Sequence, residues 1–288
     1  MNALKVQKTL TEIERNMAEI APDRRAALFN EFLVKGYSAI TLSSVSQTKF
    51  SELLQAKLCL GTLITLYDDF ADCPAQSDPQ LLEILYQLSF RGGHLIKSLN
   101  PYHRYVVDFA QSLFTEIEGI LNRLPHYRHL IGILGFDLAR FYSANQFSSL
   151  LMATPFINNP LENRSYAHHN MGMVIVAMMD LMATEKIEFS EFGAMREVFL
   201  LGQRMGRIFN VLTTRKREVI EGDITGELAT CTSEQEIETG ERTLRLEIRD
   251  LHEKIRTYDN RITTFSVNAY LEGLIKIQGL HEKMEGII

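Results

Sequence analysis

"LITLYDDFADCP", residues 63–74, runs from an apolar helical stretch into three closely spaced carboxylates. Asp68 and Asp72 are four residues apart and share one face of a helix, and Asp69 lies beside them. Like charges at this spacing repel each other, and negative charge near a helix C-terminus opposes the helix dipole. The cluster is therefore either solvated at the surface or neutralised by cations. Other parts of the sequence are needed to distinguish these two interpretations.

The overall charge limits the partners that the chain can have. Its 288 residues carry a formal net charge of −6, so we expect no nucleic-acid partner and no attraction to an anionic membrane. A bound phosphate group would need metal ions or a local basic cluster. The three cysteines are an odd number without metal-ligand spacing, which is typical of reduced thiols in a cytoplasmic protein.

The N-terminal residues, MNALKVQKTLTEIERNMAEI, show a charged amphipathic pattern. This pattern lacks the apolar core of a secretion signal, and its acidic residues argue against a transit peptide. No uninterrupted apolar run approaches the roughly 20 residues that are needed to span a bilayer. We therefore expect a cytoplasmic protein without a membrane span.

Helical spacing of apolar residues dominates the chain, and alternating strand-like patterns are rare. Helix start signals support this interpretation, for example Asn100 before Pro101 and a capping box formed by Ser233 and Glu236. No linker or internal repeat divides the sequence. We expect an all-α fold with one domain over residues 1–288, in which 1–20 form an N-terminal helical segment. The predicted helices span 3–20, 24–39, 47–73, 79–91, 101–124, 127–153, 162–184, 189–221, 234–258 and 265–285.

A second set of oxygen donors lies far downstream, in GRIFNVLTTRKREVIEGD. Asn210, Thr214 and Glu218 are spaced four and four apart, so an amide, a hydroxyl and a carboxylate form one stripe along a helix. Such a stripe can chelate a hard cation, but it also fits the charged, solvated end of a helix. Arg207 lies about one turn earlier on a neighbouring face. The same segment carries three further basic residues, Arg215, Lys216 and Arg217.

The two motifs together resemble those of class I terpene synthases (terpene cyclases). D-D-x-x-D precedes N-x-x-x-T-x-x-x-E, as in that family, and both lie on apolar helices. The flanking stretches LYDDFADCPAQSDPQLLEI and RIFNVLTTRKREVIEGDI are similar to the corresponding family segments. The resemblance extends over the whole chain, although its strong motifs occupy only two short segments. It implies a microbial-type single α domain folded as a bundle around a central apolar cavity.

The resemblance also implies a reaction. Three Mg²⁺ ions, with Mn²⁺ as an alternative, would bind the diphosphate of a linear prenyl substrate, for which C15 or C20 is favoured. Ionisation would release diphosphate, and the carbocation would cyclise in a cavity that excludes water. A homodimer is a further expectation, because helical faces of this family often pair.

Site residues follow from the same resemblance. The implied metal ligands are Asp68, Asp69, Asp72, Asn210, Thr214 and Glu218, and Asp69 alternatively pairs with an arginine. The implied catalytic residues are Asp68, Asp72 and Arg207. The implied substrate-binding residues are Arg164, Arg207, Lys216, Arg217 and Phe70. Arg164 lies 46 residues before Asn210, where the family often carries a diphosphate-sensing arginine.

Further candidates are weaker. His168 and His169 precede Gly172 where the family helix often breaks, and structural hydrogen bonding is the alternative for both. Aromatic residues that could line the cavity are Phe70, Phe141, Tyr142, Phe147, Phe209 and Tyr270. The chain departs from the family at Val211, where an Asp is usual. It also lacks a C-terminal Arg-Tyr pair, for which Arg256 and Tyr258 are the candidate replacement.

Two other functions remain open at this point. A chain-elongating prenyl diphosphate synthase is built on a similar bundle, but it carries two aspartate-rich motifs, and only one D-D-x-x-D occurs here. A non-catalytic helical binding protein that retains the motifs is the second alternative. Class II cyclases use a D-x-D-D acid, which is absent from the sequence.

Overall fold

Helices make up the architecture throughout the computed structural model, which describes residues 2–22, 24–73, 76–91, 99–229, 231 and 233–284. Within these residues there is no β-strand, so the predicted all-α fold class is confirmed. The α-helices are α1 (Asn2–Ile20), α2 (Val34–Ala39), α3 (Gln47–Asp72), α4 (Pro79–Arg91), α5 (Pro101–Leu121), α6 (Tyr127–Ala153), α7 (Pro160–Tyr166), α8 (Met173–Ala183), α9 (Phe192–Glu221), α10 (Glu234–Arg256) and α11 (Val267–Lys283). One π-helical segment, Leu28–Leu33, precedes α2.

Capping side chains fix several helix starts where the sequence predicts them. The Asn100 side chain accepts a hydrogen bond from the backbone N–H of His103, and Pro101 occupies the first turn of α5. At the start of α10, Ser233 and Glu236 form both hydrogen bonds of a capping box. These local signals place the long helices before any tertiary contact is considered.

Helix α3 lies at the centre of the bundle, in contact with α1, α4, α5, α6 and α8. Deep in this packing, Lys57 of α3 and Asp180 of α8 form an ion pair with 2.5 Å between Nζ and Oδ1, and neither side chain is exposed. Lys57 Nζ also donates to Thr41 Oγ1 at 2.9 Å, and Asp180 Oδ2 accepts from the backbone N–H of Leu42 at 3.1 Å. The pair thereby fastens the segment after α2 to the two central helices.

The predicted helix 162–184 is interrupted in the structure. It consists of α7, a 3₁₀ turn over Ala167–Met171, and α8. Gly172 lies between the last two with a φ of 62°, a left-handed conformation that glycine adopts without a steric cost. A Cβ at this position would lie 2.3 Å from Ile64 Cδ1. Helical periodicity continues through the interruption, so periodicity alone does not show it.

Every residue of α8 is buried, but the helix has only 11 residues. Within the described residues, no helix combines the length and the apolarity that crossing a membrane requires.

Candidate active site

A cavity of about 170 Å³ lies between the π-helical segment, α2, α3, α9 and α11. One part of its wall is polar, and the rest is mostly apolar. The polar wall includes Arg24, Asp68, Asp72, Asn210, Arg217 and Glu218. The apolar wall includes Leu28, Phe32, Tyr37, Ile64, Met173 and Ile277.

The two sequence motifs meet at this cavity. Asp68 and Asp72 reach it from the C-terminal end of α3, and Asn210 and Glu218 reach it from α9. Thr214 is buried between the last two: its Oγ1 lies 2.6 Å from Glu218 Oε1 and 2.8 Å from the backbone oxygen of Asn210. The fold thus brings four of the six predicted ligands to the cavity wall, with Thr214 buried behind two of them.

Asp69 points elsewhere and pairs with an arginine. Arg24 Nε donates to Asp69 Oδ1 at 2.9 Å, a terminal guanidinium nitrogen contacts the same oxygen, and that nitrogen lies 3.8 Å from Asp68 Oδ2. Arg24 belongs to the segment between α1 and the π-helical turn, 45 residues before its partner. Nothing in the local sequence marks it, which is why sequence reasoning misses this residue.

A short loop after α9 covers the polar wall. Gly222 ends the helix with a φ of 75°, and Asp223 Oδ1 then accepts from the backbone N–H of Thr225 at 2.7 Å. Thr225 donates its hydroxyl to Asp72 Oδ2 at 3.4 Å, and Arg207 donates to the backbone oxygen of Thr225 at 3.2 Å. In the sequence, this loop begins with Gly222 and Asp223, directly after the second motif.

Burial perturbs the carboxyl groups at the cavity. The pKa of Asp72 is raised well above its usual value, first by desolvation and then by repulsion from Asp68 and Asp223. The pKa of Asp68 is raised by desolvation, against the opposing effect of Arg24. Desolvation also raises the pKa of Glu218. The polar wall therefore holds acids that are costly to ionise together, and a bound cation would relieve this cost.

The donor set fits a hard cation whose coordination shell is completed by oxygens of the substrate. Within the described residues, no three His, Cys, Asp or Glu side chains converge into a metal site of their own. Carboxylate and amide oxygens instead face the cavity from two separate helices. Mg²⁺ commonly takes one or two carboxylates together with substrate phosphates. Arg207 Nε is buried there, and none of the described residues accepts a hydrogen bond from it, so it can donate to an anion.

Three predicted substrate-binding residues lie off the cavity wall. Arg164 is 67% exposed and pairs with Glu247 at 3.2 Å. Lys216 is also exposed, and Phe70 is fully packed in the core. Arg217, by contrast, lines the cavity.

The aromatic lining also differs from the expectation. None of the six aromatic residues considered from the sequence is among the described residues of the wall, which carries Phe32 and Tyr37 instead. At the inner end of the cavity, a Cβ on Gly61 would lie 2.5 Å from Tyr37 Oη and 2.8 Å from Leu33 Cδ1. The absence of a side chain at position 61 thus makes room for the tyrosine ring.

The histidines at the helix break are structural. His169 lies 2.8 Å from an Arg140 guanidinium nitrogen and 3.1 Å from Gln203 Nε2, and Gln203 Oε1 accepts from the backbone N–H of Val174. Burial lowers the pKa of His169 to about 3 and that of His168 to about 4, so both are neutral near pH 7. The network fastens the break between α7 and α8, where Asn170 and Met171 line the cavity.

Solved terpene synthases share this architecture. Isoprene synthase from grey poplar leaves (Populus x canescens) matches with a TM-score of 0.71 and 14% identity, over 99% of this chain and 54% of its own. Its complex with three Mg²⁺ ions and dimethylallyl-S-thiolodiphosphate gives 0.68 and 14%, over 98% and 55%. Limonene synthase with 2-fluorolinalyl diphosphate gives 0.68 and 15%, over 99% and 54%.

These matches show the fold of the chain. It has the class I terpene synthase fold, as the resemblance in the sequence implied. The chain spans about half the length of these solved structures. No family model matches the sequence, and no curated protein matches it.

Proposed function

We propose that the protein is a Mg²⁺-dependent terpene synthase that converts a prenyl diphosphate to a terpene and diphosphate. The observation that carries this proposal is the convergence of Asp68 and Asp72 with Asn210 and Glu218 on one cavity whose remaining wall is largely apolar. The shared fold supports it, and so does the isoprene synthase complex with three Mg²⁺ ions and a prenyl diphosphate analogue.

The metal ions would be held from two sides. Asp68 and Asp72 supply carboxylates from α3, while Asn210, Thr214 and Glu218 supply oxygens from α9. Bound Mg²⁺ would neutralise the diphosphate oxygens and stabilise the negative charge that develops on the leaving group. Asp69 serves the site by holding Arg24 in place beside Asp68. Three Mg²⁺ ions, a homodimer and a cytoplasmic location remain predictions for this chain.

Three arginines would bind the diphosphate. Arg207 and Arg217 reach the cavity from α9, and Arg24 reaches it from the N-terminal segment. Arg207 is oriented by Thr225 O and by Asn210 Oδ1, which lies 3.5 Å from it, so its Nε remains available to a phosphate oxygen. Charge-assisted hydrogen bonds of this kind strengthen as the bond to the leaving group breaks.

The apolar wall would hold the hydrocarbon chain and exclude water from the carbocation. Phe32 can stabilise positive charge through its ring face. The cavity volume of about 170 Å³ is below the roughly 300–1,000 Å³ that is typical of pockets for drug-sized ligands. We infer that the cavity in this form favours a C5 or C10 chain over the C15 or C20 substrates that the sequence favours.

The test is direct turnover. Purified protein is incubated with Mg²⁺ and each of the C5, C10, C15 and C20 prenyl diphosphates, and diphosphate release and volatile products are measured. We expect one or more terpenoid products and none in the presence of a chelator. A longer prenyl diphosphate that forms only after addition of isopentenyl diphosphate would favour the chain-elongating alternative. Binding of the substrates without any turnover would favour the non-catalytic alternative.

The second motif can be tested in the same assay. Asn210→Ala with Glu218→Ala is expected to lower kcat/KM at least ~100-fold, because charge stabilisation at the leaving group is lost. Glu253→Ala removes a carboxylate that is 69% exposed on α10 and serves as the matched control. Wild-type kcat/KM in the double variant, with unchanged helicity, would remove the second motif from the site.

A further inference from the structure

The apolar part of the cavity carries one imidazole that the proposed chemistry does not use. His281 of α11 is 2% exposed and belongs to the cavity wall. Its ring packs edge-on against Phe32, with 4.8 Å between the ring centroids, and lies 6.3 Å from the ring of Phe209. A basic side chain in such apolar surroundings calls for a function or a hydrogen-bonding role.

Hydrogen bonding determines the tautomer of this imidazole. Nδ1 of His281 lies 3.4 Å from Thr213 Oγ1. The single hydroxyl hydrogen of Thr213 is directed to backbone oxygens of its own helix, at 2.8 Å for Phe209 and 3.1 Å for Asn210. The threonine oxygen therefore accepts from Nδ1–H, and the unprotonated lone pair of His281 resides on Nε2.

The surroundings keep the imidazole neutral. Burial lowers the pKa of His281 to about 4, so the ring carries no proton on Nε2 near pH 7. Among the described residues of the apolar wall, His281 is the only one with a basic nitrogen. The phenol of Tyr37 is a poor alternative, since burial raises its pKa and keeps it protonated.

We propose that His281 is the base that ends the reaction by deprotonating the carbocation, an inference that rests on the proposed function. Nε2 takes a proton from the carbon next to the cationic centre, and the electron pair of that C–H bond becomes the new double bond. The resulting imidazolium passes its proton to diphosphate or water as the product leaves. A carbocation is a far stronger acid than imidazolium, so a weakly basic imidazole is sufficient.

The experiment separates ionisation from termination. His281→Phe keeps an aromatic ring against Phe32 but removes the base. We expect diphosphate release within about threefold of wild type and at least a tenfold lower ratio of olefin to alcohol, because water then ends the reaction. Thr213→Val removes the acceptor that fixes the tautomer and is expected to lower the same ratio to a smaller extent. A merely structural histidine would change turnover without changing this ratio.

Each other outcome has a clear meaning. An unchanged product mixture in folded His281→Phe would overturn the role of the histidine while the proposed function stands, and so would a wild-type enzyme that yields only alcohol. A wild-type protein that releases no diphosphate from any substrate would overturn both proposals. If His281→Phe does not fold, His281→Gln, which keeps a donor toward Thr213 but has no basic nitrogen, decides by the same ratio.

Discussion

Helix α3 carries two buried ionic sites that are built in opposite ways. At one of them, Lys57 and Asp180 neutralise each other at 2.5 Å, and backbone and hydroxyl groups complete their hydrogen bonding. At the other, about 22 Å farther along the helix, Asp72 lies among Asp68, Glu218 and Asp223. At the inner site the opposite charges balance, whereas the outer site brings several carboxylates together.

The pKa shifts express the same difference. Burial lowers the pKa of Lys57 and raises that of Asp180, but each partner opposes the shift of the other. At Asp72, burial and neighbouring carboxylates act in the same direction, and Arg207 is the main opposing charge. The charges of the inner pair compensate each other within the fold, so losing one partner is costly. The outer cluster is costly to ionise as a whole, and the cation of the proposed function would relieve that cost.

The largest expected effect comes from breaking the inner pair. Lys57→Met leaves the Asp180 carboxylate buried without its partner and should lower the free energy of unfolding by about 3–5 kcal/mol. Urea denaturation followed by circular dichroism measures this, with exposed Lys276→Met as the control. Combining Lys57→Met with Asp180→Leu should recover much of the loss. If Lys57→Met is as stable as the control, the buried Asp180 carboxylate does not need Lys57 for its compensation.

The next effect concerns the histidine on the cavity wall. Because the pKa of His281 falls from 6.5 to about 4 on folding, the unfolded state binds more protons between these values. Stability is thus fully present above pH 6.5 and is lost as the pH falls, by about 2 kcal/mol between pH 7 and pH 5. His281→Phe should remove this part of the pH dependence. An equal pH dependence in the variant would mean that the cavity wall is hydrated.

The smallest effect has the opposite sign. In a chelating buffer, Asp72→Asn should raise the free energy of unfolding by about 0.5–1 kcal/mol at pH 7, because one of several repelling charges is removed. Since folding raises the pKa of Asp72, this gain should shrink as the pH falls below the folded pKa toward about 4. Added Mg²⁺ should stabilise the wild type more than the variant. A loss of stability at pH 7 without metal would show that repulsion among these carboxylates does not destabilise the fold.

Local signals explain how much of the fold the sequence could predict. The predicted helices at 79–91 and 127–153 coincide with α4 and α6, and the long central helix was placed within one residue. Caps, prolines and periodicity act within a few residues, so they are readable without tertiary contacts. The resemblance indicated a break at Gly172, but helical periodicity did not, and the predicted helix 162–184 ran through it.

The sequence likewise predicted the residues of the candidate site that stand in local motifs and missed those that do not. Asp72 and Glu218 stand in spaced motifs on single helices, and the structure brings both to the cavity. Arg24 joins the site from a segment without any pattern, and Phe32 lines the cavity because of a π-helical turn that periodicity does not reveal. Arg164 was chosen by its distance along the chain, but in space it pairs with Glu247 outside the cavity.

The contact between position 61 and Tyr37 has a consequence for how this cavity can change. A methyl group on residue 61 would collide with the tyrosine hydroxyl, so Gly61→Ala alone is expected to be harmful. Shortening Tyr37 alone leaves a void in the same place. Both single steps are therefore costly, whereas the pair of them is compatible. The depth of this cavity should therefore change only when both positions are substituted together. Libraries that randomise one position at a time would not find such a variant.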